Sequence, residues 1–85
     1  SDQLRRASVS ITSNIAEGFS RQGMKEKIQF YYLAAGSLTE VRNQLLIARD
    51  VGYLNTKAEM EAILDNLVEV EKMLSGLIKS SKARI

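Results

Sequence analysis

The chain of 85 residues is short enough for one domain, near the lower limit at which a single core folds alone. Its 45% hydrophobic and 26% charged residues, with no proline, suit a helical globular protein and exclude a disordered one. The formal net charge is +2. The chain contains no cysteine, which excludes disulfides and thiolate chemistry, and no histidine, which is the commonest general base and metal ligand. Because no apolar run is long enough to span a bilayer, we expect no membrane partner. The lack of cysteine is compatible with a reducing compartment, and we expect a cytoplasmic location.

The first periodic segment predicts a helix over about residues 2–18. Its apolar residues recur every three or four positions and so share one face: Leu4, Ala7, Ile11, Ile15 and Phe19. Gly18 suits the left-handed position that follows a helix end. Four Ser or Thr residues between Ser8 and Ser13 lower the intrinsic helicity, so neighbouring helices must hold this segment.

A second helix is predicted over about residues 24–51. Gly23 can serve as its N-cap with Glu26 in a partial capping box, and Gly52 is the natural stop. We expect Tyr53 and Leu54 to fold back over the last turn. The short connection over residues 19–23 predicts that the flanking helices are antiparallel.

The third helix is predicted over about residues 57–81. Thr56 and Glu59 match a capping box at its start. Its apolar positions alternate steps of three and four, with two more that widen the stripe: Met60, Ile63, Leu67, Val70, Leu74 and Leu77, then Leu64 and Ile78. The fold class is therefore all-α, an antiparallel up-down helical bundle that forms one domain over residues 1–85.

Small and polar residues in the first two helices predict close helix packing. A mid-helix glycine such as Gly36 is costly, and small residues facing each other let two helices approach. The predicted packing motif consists of Ser10, Asn14, Glu17, Gly18, Gly36 and Ser37. The alternative is a phosphate-binding loop around Asn14 and Gly18, which is less favoured because no strand precedes it.

Two stretches, QLRRASVSITSNIAEGFSR and YYLAAGSLTEVRNQLLIARDVGYL, resemble the four-helix-bundle family of 23S rRNA intervening-sequence proteins. The same family includes the accessory variability proteins of diversity-generating retroelements. The resemblance extends from Gln3 to about Lys79. Thr12 stands where the family usually has proline, and Arg42 where an acidic residue usually follows Glu40.

The resemblance implies a bacterial homo-oligomeric bundle, a ring of five, with no catalysis and a role in binding nucleic acid. For the retroelement branch it also implies a reverse-transcriptase partner. Three helices of the four-helix pattern are present, because the family's first helix would precede Ser1. Either the chain is part of a longer one, or a three-helix version obtains its fourth helix elsewhere.

The second helix also carries apolar residues outside its main sector, which favours self-association. The predicted oligomer interface consists of Tyr32, Leu33, Leu46 and Ile47. Of the adjacent tyrosines, we expect Tyr31 or Tyr32 to pack in the core and the other at an interface. Base stacking by either ring is the alternative.

Basic residues near the first two helices are compatible with nucleic-acid binding without strong sequence specificity, which a ring would strengthen by repeating them. The choice of this function over a scaffold rests mainly on the resemblance. The candidates are Arg5, Arg6, Arg21, Lys25, Lys27, Arg42 and Arg49. A simple surface pair between Glu17 and Arg21 is the alternative for that arginine. The basic last turns of the third helix are explained by the helix dipole. We predict no catalytic residue, metal or cofactor, and the alternative function is a protein-interaction scaffold without nucleic-acid binding.

Overall fold

The computed structural model describes residues 2–52 and 57–85 of the chain. Three helices are present, α1 (Asp2–Ser20), α2 (Met24–Asp50) and α3 (Lys57–Ala83), and the described residues contain no strand. The predicted all-α fold with three helices is confirmed. The predicted ends need small corrections, since α1 and α3 each continue two residues further and α2 ends one residue earlier.

The central helix of the bundle is α2, which packs against both other helices. Over the described ranges, no Cα atom of α1 lies within 8 Å of one in α3. The Cα atoms span 45 × 22 × 14 Å, so the domain is broad and thin. Contacts of α1 with α2 join Gln3 to Gln44 at one end and Gly18 to Lys27 at the other, as in antiparallel neighbours.

The core follows the predicted apolar stripes. Each helix contributes buried side chains to one cluster: Ala7 and Ile11 from α1, Tyr31, Ala34, Leu38, Val41 and Leu45 from α2, Met60 and Leu74 from α3. The remaining members of the predicted stripe of α3 pack partly buried against this cluster. Phe19, predicted on the core face of α1, is 57% exposed and makes an edge contact with the Tyr31 ring.

Glycines mark both ends of α2 as predicted. Gly23 is the N-cap in an extended conformation (φ −81°, ψ 136°), and its carbonyl accepts a hydrogen bond from the backbone N–H of Lys27. Gly52 has φ 82°, the left-handed region that favours glycine after a helix end. The capping box at Thr56 and the predicted packing of Tyr53 and Leu54 lie outside the described residues.

Gly18 does not end α1, contrary to the prediction. The helix continues to Ser20, and Gly18 is buried against α2. An added Cβ would lie 2.4 Å from Cε1 and 2.9 Å from Cδ1 of Tyr31. The glycine is therefore required by the close approach of the Tyr31 ring and not by the backbone conformation.

Gly36 does not serve close helix packing, which corrects a second prediction. It lies on the exposed outer side of α2, and an added Cβ would meet no atom within 4 Å.

Over the described residues, none of the helices combines the length and apolarity that crossing a bilayer requires.

Candidate nucleic-acid interface

The predicted basic residues fall at the two ends of the bundle. Arg5 and Arg6 are exposed near the start of α1, whereas Arg21, Lys25 and Lys27 surround the connection between α1 and α2. The two groups are separated by most of the length of α1, about 20 Å at 1.5 Å per residue. They form no single patch within one chain.

Arg21 is held by a local network of contacts. Its guanidinium lies 3.1 Å from Glu17 and 3.7 Å from Glu26, and its Cζ atom lies 4.9 Å from the centroid of the Phe30 ring. The simple surface pair between Glu17 and Arg21 is therefore present. Two carboxylates balance the charge of this arginine in the isolated chain.

Lys27 serves the junction between α1 and α2. Its Nζ donates hydrogen bonds to the carbonyl oxygens of Gly18 (3.0 Å) and Phe19 (3.1 Å) in the last turn of α1. Neither carbonyl has a partner within α1, although Gly18 O also accepts from the backbone N–H of Arg21 at 3.4 Å, and a cation there complements the helix dipole. This lysine therefore acts as a C-cap for α1.

The two predicted arginines further along α2 are also paired. Arg42 forms an ion pair with Glu71 of α3, and Arg49 pairs with the adjacent Asp50 at 3.3 Å. The first pair joins α2 to α3, which explains why a basic residue at this position is compatible with the fold. Both arginines remain partly exposed.

The structure brings the last turns of α3 beside the first half of α2, which the sequence analysis missed. Lys82 Nζ lies 5.2 Å from the centroid of the Tyr32 ring. On α2, Tyr32 lies two turns after Lys25. Together these segments form what we call the basic end: Arg21, Lys25, Lys27, Lys79, Lys82 and Arg84, with the carboxylates Glu17 and Glu26. Six cations against two carboxylates leave a formal charge of +4 here and −2 on the rest of the chain.

Some cations of the basic end have no ion pair among the described residues. They are Lys25, Lys79, Lys82 and Arg84. No Asp or Glu follows Glu71 in the chain, and none lies between Lys27 and Thr39. The lack of acidic residues after Glu71 was the sequence signal for this basic end, and the preference for cations near a helix C-terminus explained the same pattern equally well.

An open cavity of about 390 Å³ lies at this end between α2 and α3. It is lined by Tyr32, Ser75, Ile78, Lys79 and Lys82. Ser75 and Ile78 also line a smaller adjoining cavity of about 190 Å³, which reaches Thr39 and Glu71. The larger cavity thus combines a half-exposed aromatic ring, a hydroxyl and two ammonium groups.

The predicted packing motif joins α1 to α2 through polar contacts. The hydroxyls of Ser10 and Ser37 lie 2.8 Å apart, and the amide of Asn14 donates to the carbonyl and hydroxyl oxygens of Ser10. The stretch from Ser10 to Gly18 is helical, with Ser10 and Gly18 facing α2, so it is not a loop. The phosphate-loop alternative is therefore wrong, and Glu17 takes part only in the exposed pair with Arg21.

The four predicted interface residues lie on two sides of α2. Leu33 and Ile47 are 56% and 59% exposed on the outer side, with Gly36 between them. Tyr32 is 49% exposed and Leu46 is partly buried, on the side toward α3. The outer pair is one of several apolar features left exposed, beside Val9, Phe19 and Met73 among others.

A metal site or a reactive side chain would place specific requirements on the described residues. They contain no group of three or more acidic side chains able to hold a metal ion. Burial raises the pKa of the Tyr31 phenol above its ordinary value, because the charged form loses hydration in the core. That ring is 2% exposed and packs against Gly18 and Phe19, which is a structural role.

The family comparison matches most of the chain. The model of the family described as 23S rRNA-intervening sequence protein covers residues 1–76. No curated protein and no solved structure matches the chain. Since the matched region includes α1, α2 and most of α3, the chain belongs to the 23S rRNA intervening-sequence protein family.

Proposed function

We propose that this chain is a non-enzymatic, homo-oligomeric protein that binds nucleic acid through its basic end. The observation that carries the proposal is the separation of charge, +4 at the basic end and −2 elsewhere. Phosphate contacts from such a surface are largely independent of sequence. The family name refers to an intervening sequence of 23S rRNA, which makes RNA the first probe, with DNA beside it.

Self-association is supported by the outer side of α2. Leu33 and Ile47 are large apolar residues left exposed, and Gly36 between them offers close approach for another helix. A closed ring, five copies in the resemblance noted above, would repeat the basic end around its axis. Repetition would raise the local positive potential without changing the charge of one chain.

The test is binding of fluorescein-labelled RNA and DNA by anisotropy between 50 and 200 mM NaCl, with the mass measured by light scattering. Phosphate contacts from the four unpaired cations predict roughly 50-fold weaker binding to single strands across this range. Lys25→Ala and Arg84→Ala should each weaken binding and flatten the salt dependence. Arg6→Ala is the matched control, because it removes one exposed cation at the opposite end.

Two results would count against this proposal. Absence of binding to RNA and DNA at 50 mM NaCl would leave the alternative, a protein-interaction scaffold without nucleic-acid binding. Equal losses from Arg6→Ala and Lys25→Ala would show that total charge, and not the basic end, carries the affinity. A monomeric mass at micromolar concentration would contradict the homo-oligomer.

A further inference from the structure

We infer that the cavity lined by Tyr32, Ser75, Lys79 and Lys82 is a binding site for one nucleotide of a single-stranded RNA. The Tyr32 ring stacks the base, and the two ammonium groups hold the flanking phosphates. This inference rests on the proposed function and goes beyond it, because it specifies the strand state of the ligand and an aromatic contact. None of these cavity residues except Tyr32 belongs to a predicted site, and for Tyr32 the sequence analysis favoured an oligomer interface over base stacking.

The cavity has the size and the mixed chemistry of a ligand site. Its volume of about 390 Å³ falls in the range that small-molecule pockets occupy. Ile78 supplies an apolar wall beside the ring, and the Ser75 hydroxyl makes no hydrogen bond within the described part of the chain. A base edge or a ribose hydroxyl can therefore pair with that serine without breaking an existing contact.

The charge around the cavity favours an anion. Lys79 and Lys82 have no carboxylate partner over the described residues. The nearest acidic residues along the two helices are themselves paired with arginines, Glu71 with Arg42 and Glu26 with Arg21. The ammonium groups are thus the only uncompensated charges that line this cavity.

In the cation–π contact, the Lys82 ammonium occupies the face of the Tyr32 ring that an incoming base would use. Lys82 Nζ lies over the Tyr32 ring at 5.2 Å, and an exposed contact of this kind is weaker than stacking of a base on an aromatic ring. An incoming base takes the ring face, and the displaced ammonium moves to a phosphate. The long, flexible lysine side chain permits this movement without a change in the helix.

A duplex cannot bind in this way, since its bases are already stacked on one another and only phosphates reach the lysines. Preference for single strands therefore separates this site from binding by charge alone. Inorganic polyphosphate provides the complementary probe, because it has the phosphates and lacks a base.

The experiment measures dissociation constants of the full chain for a labelled 12-nucleotide oligouridylate, a duplex RNA of the same length and inorganic polyphosphate as competitor. Tyr32→Ala should weaken oligouridylate binding by about tenfold, within the range found for stacked bases, whereas Tyr32→Phe should retain it. Polyphosphate binding should not change with Tyr32→Ala. Circular dichroism checks that the variants keep the helical fold.

The lysines are tested by charge-matched substitution. Lys79→Ala and Lys82→Ala should each reduce the salt dependence of oligouridylate binding by about one phosphate contact, 0.7 in the logarithmic slope. Lys72→Ala removes the same charge from α3 at a residue that does not line the cavity, so it should have a smaller effect.

The outcomes separate this site from the proposed function. If RNA binds with strong salt dependence but Tyr32→Ala changes nothing, the nucleotide site is wrong and binding by the basic end stands. If Lys72→Ala equals Lys79→Ala, the nucleotide site is wrong and total charge, not the basic end, carries the affinity. If the duplex binds as tightly as oligouridylate, the stacking contact is likewise refuted. If neither RNA binds at 50 mM NaCl, both proposals fail.

Discussion

Replacing Gly18 with alanine tests the packing of α1 on α2 directly. In an exposed helix this change stabilises by up to about 1 kcal/mol. Here the new Cβ would lie 2.4 Å from Cε1 of Tyr31, more than 1 Å inside an ordinary carbon–carbon contact. Tyr31 is 2% exposed, so the ring has little free space into which it can move.

The net effect follows from these two opposing contributions. Overpacking a buried site costs about 1 to 3 kcal/mol, and the short contact with a buried ring favours the upper end of that range. Subtracting the gain in helix propensity leaves a loss of about 2 kcal/mol in the free energy of unfolding. For a chain of this size, that corresponds to a fall in Tm of about 8 to 16 °C.

The assay is urea unfolding followed by circular dichroism at 222 nm, at one fixed protein concentration. The control is Gly76→Ala in α3, where an added Cβ meets no atom within 4 Å. That variant should be as stable as the wild type or more stable, by up to about 1 kcal/mol. The two substitutions are chemically identical, so their difference measures the local environment.

A second background makes the reasoning sharper. In a Tyr31→Leu chain the nearest ring atoms are absent, so Gly18→Ala should lose most of its cost. Contacting residues are expected to show such non-additive effects. Equal costs in both backgrounds, or a Gly18→Ala chain as stable as Gly76→Ala, would refute the claim that Gly18 is required by the Tyr31 ring.

Other contacts give three further predictions. Ser37→Ala should cost about 1 kcal/mol in urea unfolding by leaving Ser10 without its interhelical partner, and a Ser10→Ala, Ser37→Ala pair should cost less than the sum; additive costs would contradict the hydrogen bond. Burial raises the pKa of Tyr31, so the neutral phenol's contribution to stability is complete below about pH 10, its ordinary pKa, and is lost at higher pH. Above that pH the wild type should lose stability relative to Tyr31→Phe. A stability difference between the two chains that does not change from about pH 7 to 11 would be inconsistent with this. Arg42→Ala should cost about 0.2 to 1 kcal/mol at low salt and less in 1 M NaCl, because its pair with Glu71 is partly exposed; a cost unaffected by salt would argue against an ionic contribution.

The helices could be predicted because their signals are local. Apolar residues recur every three or four positions around Ile11 in α1, Leu38 in α2 and Leu74 in α3, and all three residues lie in the core. Such a spacing depends only on the geometry of one helix. Gly23 and Gly52 were predicted correctly for the same reason, since a cap depends on the few residues beside it.

The two wrong predictions for glycine share a different cause. A glycine near a helix end fits either a left-handed cap or a close contact, and the choice depends on what lies opposite. Tyr31 lies opposite Gly18, thirteen residues later in the chain, and open space lies opposite Gly36. Such partners are fixed by the register between helices, which the spacing within one helix does not contain.

The basic end was missed because each half of it has a sufficient local explanation. Lys79 and Lys82 suit the C-terminal turns of a helix, and Arg21 suits a surface pair with Glu17. Only the antiparallel register, seen where Lys82 lies over Tyr32, places the last turns of α3 at the end of the bundle that carries the first connection. Sequence reasoning assigned each charge to its own helix and so could not add them.

The net charge of +2 is a poor guide to how this chain meets a polyanion. The Debye length is about 8 Å at physiological ionic strength, whereas the domain is 45 Å long. A phosphate near the basic end is therefore screened from the acidic residues at the far end, and it experiences mainly the cations within about one Debye length of it. The same screening keeps Arg5 and Arg6 from adding to that site within one chain. Affinity should consequently depend on where a charge is removed, which is why the variants compared above carry equal charge at different places.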